Sequence, residues 1–460
     1  MPRVTGLLAR PTGHAQGSNP AGGGQFVKAA RQIGKTPTPF PLHPSVLPHS
    51  IIAAFSHLPL IFYAQYGYIY GIFTHMYERC LTPILAQGKK SLLLLGPRQV
   101  GKSTLLKSLS PDVSLNFAEA RTYREYVVRP EKLSDELNAA GAEIKTILLD
   151  EVQKVPALLD VVQVILDNHP RRFRFLLSGS SARKLRKGHA NLLPGRIHVH
   201  HLHPLLASEL GTEFNLNRVL AHGSLPGIYA ETDPKDRAAS LTAYADIYLR
   251  EEIQAEALVR DVGGYGRLLE IMAAMSGKIL NLNAVCRDAG IRYETARRYL
   301  EVLVDTLVAF SVPAWSGSDR GSLVAHPKVF LFDLGVRNAL LRHPLDTPLE
   351  DEKGVLLEHL VAYEIHRRMG SLWPEANLFH YRNRHGAEVD FVVEAGKEIW
   401  GIEVKSARDS AGVRLSGLKS IQERVGRLGR KIVVFLGKRK QVRDGVEFLP
   451  LEDFLQELPR

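Results

Sequence analysis

The chain has 460 residues, 45% hydrophobic and 23% charged, which excludes collagen, a coiled coil and a wholly disordered protein and allows two to four domains. Its only cysteines, Cys80 and Cys286, argue against a disulfide framework and a clustered zinc site and favour a reducing, cytoplasmic setting. The formal charge of +11 permits nucleic-acid binding without demonstrating it, because 5 of these charges lie in residues 1–75.

The first 75 residues differ from the rest of the chain. Residues 1–50 are rich in Gly, Pro, Ala and Ser without helical or strand periodicity, which predicts disorder. Residues 51–73 carry no charged side chain and are long enough to cross a bilayer, but His57, Pro59 and several tyrosines make a poor membrane helix. We therefore expect residues 1–75 to be a disordered or misassigned extension before a native start at Met76, with membrane attachment as the disfavoured alternative.

Alternating strand and helix signals begin after Lys89. Short apolar runs predict strands at Ser91–Leu95, Thr146–Leu149 and Phe173–Leu177, and a helix is predicted at Lys102–Leu109. Such alternation predicts an α/β fold in which helices cover a parallel sheet, and we expect this domain to occupy residues 76–212.

The segment after the first strand matches the phosphate-binding pattern G-x-x-x-x-G-K-[ST]. Its glycines let the backbone wrap around phosphate oxygens, Lys102 is expected to reach the β- and γ-phosphates, and Ser103 is expected to bind Mg²⁺. This context predicts an ATP site formed by Gly96, Pro97, Arg98, Gln99, Val100, Gly101, Lys102, Ser103 and Thr104.

Polar residues at the ends of the next two strands complete the predicted site. Asp150 is expected to hold the hydration shell of Mg²⁺, and Glu151 to act as the general base that polarises the attacking water. Ser178 is the preferred sensor of the γ-phosphate, with Ser180 behind it. A cation for the transition state is sought in Arg183 or Arg196, either in cis or from a neighbouring subunit, although both also suit a solvated surface.

Residues 213–326 are predicted to be mostly helical. Asn283–Gly290 followed by Arg292–Leu307 has helix-turn-helix spacing, and strand-like runs at Leu307–Val312 and Leu323–Val324 suggest a winged helix. Phosphate contacts are expected from three arginines near the second helix, which equally suit a solvated face: Arg292, Arg297 and Arg298.

Residues 327–460 are predicted to form a third, α/β domain. A helix at Gly354–Met369 precedes strands at Leu378–Arg382, Ala387–Val393 and Ile399–Lys405, and Lys431–Leu436 is expected to be the last strand.

Two of these strands carry a carboxylate–lysine set. Because alternate residues of a strand share a face, adjacent strands are expected to bring Asp390, Glu403 and Lys405 together. Paired carboxylates bind Mg²⁺ and a lysine offsets charge on a phosphodiester, with Glu358 as an additional carboxylate from the helix. An E-x-K triplet also occurs in ordinary amphipathic strands.

Several motifs make the chain resemble bacterial and archaeal AAA-type ATPases that carry a C-terminal domain of unknown function related to PD-(D/E)XK nucleases. The motifs are GPRQVGKSTLL (96–106), LLDEVQKVP (148–156), LLSGSSARKL (176–185), LPGR (193–196), HPKVFLFDLGVRNALL (326–341), GVLLEHLVAYEI (354–365), AEVDFVV (387–393) and IEVKSA (402–407).

The resemblance implies a P-loop ATPase core, a winged-helix-like middle and a restriction-endonuclease-like end. It also implies ATP and Mg²⁺ at Lys102, Ser103, Asp150 and Glu151, and it carries the nuclease pattern onto the C-terminal carboxylate–lysine set. One departure is that Glu388 and Asp390 stand where many such nucleases have Pro-Asp.

The combined hypothesis is an ATP-binding and ATP-hydrolysing protein that acts on DNA, with a Mg²⁺-dependent nuclease-like C-terminal domain. The alternative is a nucleotide switch or scaffold in which an inactive nuclease fold binds a protein or nucleic-acid partner. Assembly into a homo-oligomer, in which one subunit supplies an arginine to the next, is compatible with either.

Overall fold

The computed structural model describes residues 77–180, 193, 195–248, 261–316, 326–343, 345, 348 and 350–460. The predictions for residues 1–76, for Arg183 and for the strand Leu323–Val324 lie outside these residues. Within the described part of the chain, no helix combines the length and apolar character needed to cross a membrane.

The first sheet is wholly parallel and has the strand order β2-β3-β4-β1-β5. Its strands are β1 (Ser91–Leu95), β2 (Val113–Asn116), β3 (Thr146–Asp150), β4 (Arg174–Gly179) and β5 (Ile197–His201). All five residues of β1 are buried, as expected for a strand covered on both faces. The neighbouring helices are α1 (Thr82–Gln87), α2 (Lys102–Lys107), α3 (Ala120–Val128), α4 (Lys132–Ala139) and α5 (Leu158–Asn168).

The three strands predicted in this region are present, and two more were not predicted. β2 and β5 are the two edge strands, and each has only partly buried side chains. β5 reads Ile-His-Val-His-His, which lacks the apolar run that marks a central strand. Edge strands therefore leave a weaker sequence signal than the covered strands between them.

A helical segment follows the first sheet. Its helices are α6 (Ala207–Leu210), α7 (Leu216–His222), α8 (Pro226–Ala230), α9 (Pro234–Ala243), α10 (Val262–Ala274), α11 (Leu282–Ala289) and α12 (Tyr293–Asp305), with a π-helix at Tyr244–Tyr248. The turn between α11 and α12 contains Gly290 at φ +65°, a left-handed conformation that glycine adopts without strain. Helix α12 buries Ala296, Tyr299, Val302 and Leu303, at helical spacing.

A two-stranded antiparallel sheet follows α12. Strand β6 (Ala309–Val312) pairs with β7 (Lys328–Leu331), which lies beyond the domain boundary expected at residue 326. Helix α13 (Leu334–Leu340) follows, with the Asp333 carboxylate accepting the N–H groups of Gly335 and Val336 at its start.

The C-terminal region is a mixed sheet of order β12-β13-β11-β10-β9-β8 with a buried helix beside it. Its elements are α14 (Lys353–His366), β8 (Ala376–Arg382), β9 (Glu388–Ala395), β10 (Glu398–Lys405), α15 (Ser416–Val425), β11 (Arg430–Phe435), β12 (Gln441–Arg443), β13 (Val446–Pro450) and α16 (Leu451–Glu457). The expectation that the strand near 431–436 is the last one is wrong. β12 has three largely exposed residues and β13 has Glu447 in its middle, so neither shows a long apolar alternation.

One arginine joins these regions. The buried Arg367 guanidinium, just after α14, donates to the Leu205 carbonyl at 3.0 Å, to Ser224 Oγ at 3.1 Å and to the Phe332 carbonyl at 2.8 Å. Because Leu205 follows the first sheet and Phe332 follows β7, this side chain fixes the parallel sheet, the small sheet and α14 to one another.

Candidate functional site

The loop after β1 lies at the carboxyl edge of the parallel sheet. A Cβ on Gly96 would stand 2.2 Å from the Leu202 carbonyl oxygen, so only glycine fits there. Gly101 and Gln99 adopt left-handed conformations at φ +92° and +62°, which turn the loop back towards α2. Val100 is fully buried and anchors the loop in the core, whereas Arg98 and Gln99 face outward.

The two side chains that follow the loop are engaged within the site. The Lys102 ammonium is buried and donates to the carbonyls of Gly96 and Pro97 at 2.9 and 2.8 Å. The Ser103 hydroxyl donates to Asp150 Oδ1 at 2.9 Å. Thr104 is exposed on the first turn of α2. The loop thus binds its own lysine across its mouth, where the predicted phosphates are expected.

The Asp150 carboxylate connects three strand ends. Besides the Ser103 hydroxyl, its Oδ1 accepts the hydroxyl of Ser178, and Ser178 Oγ accepts the N–H of Glu151 at 2.9 Å. Ser178 is completely buried and has both of these partners in the protein. The structure therefore places Ser178 as a brace for Asp150 and Glu151 rather than as the phosphate-contacting sensor expected from its position.

Glu151 has a backbone conformation that is rare for a residue with a side chain. Its φ and ψ are 60° and 41°, the left-handed region, at a cost on the order of 1 kcal/mol or more. Gln153 Nε2 donates to Glu151 Oε2 at 2.6 Å and lies 3.2 Å from Ser180 Oγ. Sequence reasoning missed Gln153, although its place two residues after Glu151 puts it on the same short 3-10 turn.

Two further residues hold the phosphate loop from outside the motif. Arg79 donates to the Val100 carbonyl at 2.7 Å and to the His203 carbonyl at 2.6 Å, and its Nε lies 3.1 Å from Glu209 Oε2. The Tyr244 hydroxyl donates to the Arg98 carbonyl at 3.1 Å. Neither residue belongs to a recognisable motif, so no local signal would have identified them.

The structure does not bring Arg196 to this site. The register pairs Ile197 with Ser91, so Arg196 stands at the amino end of β1, whereas the phosphate loop follows its carboxyl end. Five residues of strand separate these ends by roughly 16 Å. The Arg196 guanidinium instead binds the Asp167 carboxylate through Nε at 2.7 Å and a terminal nitrogen at 3.0 Å. The expected role in cis is therefore wrong.

The donor chemistry at the edge of the parallel sheet suits ATP with Mg²⁺. A hydroxyl and a carboxylate 2.9 Å apart, Ser103 and Asp150, are hard oxygen ligands of the type that Mg²⁺ prefers. The glycine-lined loop and the Lys102 ammonium provide donors and a positive charge for phosphate oxygens. The residues therefore fit the nucleotide and its metal.

The C-terminal carboxylate–lysine set also comes together. Strands β9 and β10 are antiparallel neighbours with Phe391 opposite Ile402. Lys405 Nζ lies 3.1 Å from Glu403 Oε2 and 3.8 Å from Asp390 Oδ2. Burial raises the pKa of Glu403 against the opposing charge of Lys405, while Asp390 and Glu403 outweigh the burial of Lys405 and raise its pKa.

A residue that sequence reasoning did not single out enters this site from β7. Lys328 Nζ lies 2.8 Å from Glu358 Oε1 and 3.1 Å from Glu388 Oε1. The Glu358 carboxylate, expected as a metal ligand, is therefore paired with a lysine. Burial, followed by the charge of Asp390, raises the pKa of Glu358 to about 7 despite the opposing charge of Lys328.

This C-terminal arrangement does not fit a divalent cation. Among the residues that the structure describes, no three His, Cys, Asp or Glu side chains are grouped so as to hold a metal ion. Glu358 contacts Lys328, Glu403 contacts Lys405, and Asp390 Oδ2 accepts the Val404 N–H at 2.8 Å. The carboxylates are therefore near one another, but each is already occupied by a protein donor.

The three arginines of the helix-turn-helix segment are exposed. Arg292 lies at the start of α12, and Arg297 and Arg298 lie on its first turns. Arg297 forms an ion pair with Glu294 at 3.0 Å between two exposed side chains, which costs little to separate.

Family models match three consecutive segments of the chain. Residues 88–211 match an AAA domain, residues 213–347 match a domain of unknown function (DUF8612), and residues 353–454 match a second one (DUF4143). With the geometry above, residues 88–211 are a nucleotide-binding P-loop domain of the AAA ATPase type.

Curated relatives include uncharacterized proteins of Mycobacterium tuberculosis and Mycobacterium bovis, each 26% identical over 367 residues that cover 79% of this chain and 80% of the relative. Among solved structures, RuvB of Thermotoga maritima is 17% identical and covers 49% of this chain and 82% of that chain, with a TM-score of 0.24. A signal transduction ATPase with numerous domains from Pyrococcus horikoshii is 10% identical over 65% of this chain and 46% of that chain, with a TM-score of 0.21. Scores this low do not establish a shared overall fold.

Proposed function

We propose that this protein hydrolyses ATP with Mg²⁺ at the carboxyl edge of its parallel sheet and uses the hydrolysis to act on DNA in the cytoplasm. The observation that carries the proposal is the connection of Ser103, Asp150 and Glu151, through direct contacts and Ser178, beside a phosphate loop. A single motif occurs by chance, but three strand ends joined in this way make a hydrolytic site.

Each side chain has a role that follows from its position. Lys102 exchanges its two carbonyl partners for phosphate oxygens, and Ser103 and Asp150 are the residues that would hold Mg²⁺. The metal, when bound, supplies positive charge to the phosphates. Glu151 accepts the proton of the attacking water, and Gln153 orients its carboxylate through the 2.6 Å hydrogen bond.

The transition-state cation is expected from a second subunit. Arg196 lies at the opposite end of β1 and is held by Asp167. Its half-exposed position on the surface suits a contact with a neighbouring copy, which supports a homo-oligomer in which one subunit completes the site of the next.

The experiment compares ATP hydrolysis by the full chain with and without DNA. We expect wild-type hydrolysis to be stimulated by DNA, Lys102→Ala to lose nucleotide binding, and Glu151→Gln to retain binding but lose hydrolysis. Hydrolysis that survives Glu151→Gln would remove its role as base. An absence of any DNA effect on the wild type would leave an ATPase with a different partner.

A second candidate, DNA cleavage by the C-terminal region, is favoured by the meeting of Asp390, Glu403 and Lys405. The occupied state of the carboxylates favours the alternative, a nucleotide switch whose nuclease-like domain binds a partner without cutting. The two are separated by testing Mg²⁺-dependent cleavage by the wild type and by Asp390→Ala/Glu403→Ala. Cleavage lost in the double variant would support the nuclease, and cleavage unchanged in it would exclude these residues.

A further inference from the structure

A charged side chain from the small sheet is buried in the C-terminal carboxylate site. Lys328 opens β7, and its residue surface is only 2% exposed. Its ammonium contacts Glu358 Oε1 and Glu388 Oε1 and stands 6.0 Å from the centre of the Phe391 ring. A buried ammonium is costly unless opposite charges and hydrogen bonds compensate it, so this lysine and these carboxylates depend on one another.

The lysines account for the carboxylates of the site. Lys328 binds Glu358 and Glu388, and Lys405 lies beside Asp390 and Glu403. A divalent cation needs several of these oxygens free and gains its affinity from their uncompensated negative charge. Both are removed on the Glu358 side by an ammonium already in place.

We propose that Lys328 is the built-in cation of the C-terminal carboxylate site and keeps a divalent metal from binding at Glu358 and Glu388. The ammonium supplies the positive charge that a metal supplies in a metal-dependent site. Glu358 is then a lysine partner, not a metal ligand.

The backbone around Lys328 holds this arrangement in place. Lys328 pairs with Val312 in the β6–β7 ladder and bridges Ile279. At the other end of β7, the Leu331 carbonyl accepts the Nε2–H of His359, on α14, at 2.6 Å. Withdrawing the ammonium by moving the strand would break these bonds, so a metal does not gain access by a simple side-chain rotation of Glu358.

The test measures Mn²⁺ binding to the full chain without nucleotide, by electron paramagnetic resonance of free Mn²⁺ and by titration calorimetry. Lys328→Met removes the charge while keeping a similar length, Lys328→Arg retains the charge, and Lys397→Met changes an exposed lysine of the β9–β10 turn as a control. We expect Lys328→Met to gain a Mn²⁺ site at least tenfold tighter than anything in the wild type, Lys328→Arg and Lys397→Met to resemble the wild type, and added Glu358→Gln to abolish the gained site.

Two measurements keep the proposal falsifiable if Lys328→Met folds poorly. Mn²⁺ should raise the melting temperature of Lys328→Met but not that of the wild type, because the metal replaces the missing charge. Glu358→Gln in the wild-type background should leave Mn²⁺ binding unchanged. A folded Lys328→Met without a Mn²⁺ site, or a wild-type site weakened tenfold by Glu358→Gln, would overturn the proposal. Since no nucleotide is present, failure of the proposed ATPase activity would not affect this result.

Discussion

At the scale of single residues, the nucleotide site depends on side chains that touch one another. Asp150 accepts hydroxyls from Ser103 and Ser178, and Ser178 also holds the strained Glu151 backbone through its N–H. A left-handed Glu151 costs free energy on the order of 1 kcal/mol or more, so neighbouring bonds must hold it there. Ser178 is the nearest of these bonds.

The first prediction concerns Ser178→Ala. This change leaves the Glu151 N–H without its partner, which costs about 1–3 kcal/mol for a buried donor, and loosens the candidate base. We expect the maximal rate of ATP hydrolysis to fall about tenfold or more, the equivalent of roughly 1.4 kcal/mol, with nucleotide affinity changed less. Steady-state kinetics and urea unfolding check both. Ser110→Ala, at a helix end away from the site, is the matched control, and an unchanged maximal rate in Ser178→Ala would contradict the role.

At the scale of elements, the phosphate loop is connected to the helical segment. The π-helix Tyr244–Tyr248 begins with the tyrosine whose hydroxyl holds the Arg98 carbonyl, and its ring lies 6.1 Å from Phe332, which follows β7. The loop conformation is thus fixed by a segment that begins more than 140 residues later in the chain.

The second prediction concerns Tyr244→Phe, which removes one hydroxyl and keeps the buried ring. We expect a several-fold weaker affinity for ATP, because a neutral hydrogen bond that orders the loop contributes about 1 kcal/mol. Fluorescent nucleotide titration measures it. Tyr293→Phe, at an exposed tyrosine, serves as the control, and equal affinities in both variants would show that the Arg98 contact does not order the loop.

The third prediction concerns His380 on β8. Burial lowers its pKa to about 4 against the Nε2 hydrogen bond to the His326 carbonyl, and Lys328 lowers it further. Because the folded value lies below the unfolded value of about 6.5, the unfolded chain binds the extra proton, so stability is complete above pH 6.5 and falls as the pH drops towards 4. We expect His380 to lower the free energy of unfolding by about 2 kcal/mol between pH 7.5 and pH 5.

Urea unfolding at both pH values checks this, with His380→Gln as a non-titrating variant that can still donate to the carbonyl. The variant should lose less stability than the wild type on acidification. Equal losses would mean that His380 is not neutral in the folded protein.

At the scale of the whole molecule, the chain combines an ATPase-type domain with segments that the proposal assigns to DNA. The formal charge is +11, and three exposed arginines lie at or near the start of α12. Phosphate contacts release counterions, so the salt dependence of binding counts them.

The fourth prediction concerns Arg297→Ala/Arg298→Ala. We expect weaker DNA binding at every sequence and a salt dependence reduced by about two contacts, or roughly 1.8 in the slope of log K against log salt. Fluorescence anisotropy at several salt concentrations measures this. Arg121→Ala/Arg124→Ala, on the exposed face of α3, is matched in charge, and an identical slope in the two double variants would assign DNA binding elsewhere.

The sequence alone determined the parts of this protein that are local. The phosphate loop, the strand before it and the Asp150–Glu151 pair are each coded by consecutive residues, because covered strands are apolar runs and a phosphate loop needs glycines at fixed spacing. The β9–β10 pairing of Asp390, Glu403 and Lys405 followed from strand periodicity over 16 residues.

Only the tertiary structure decided which distant side chains meet. Lys328 reaches Glu358 across 30 residues and Glu388 across 60, Tyr244 reaches the phosphate loop, and parallel register sends Arg196 to the wrong end of β1. Such contacts have no local signal, because the chain path that brings them together is set by the burial of whole elements. The lysine that fills the C-terminal site was therefore invisible in a sequence motif that contains it.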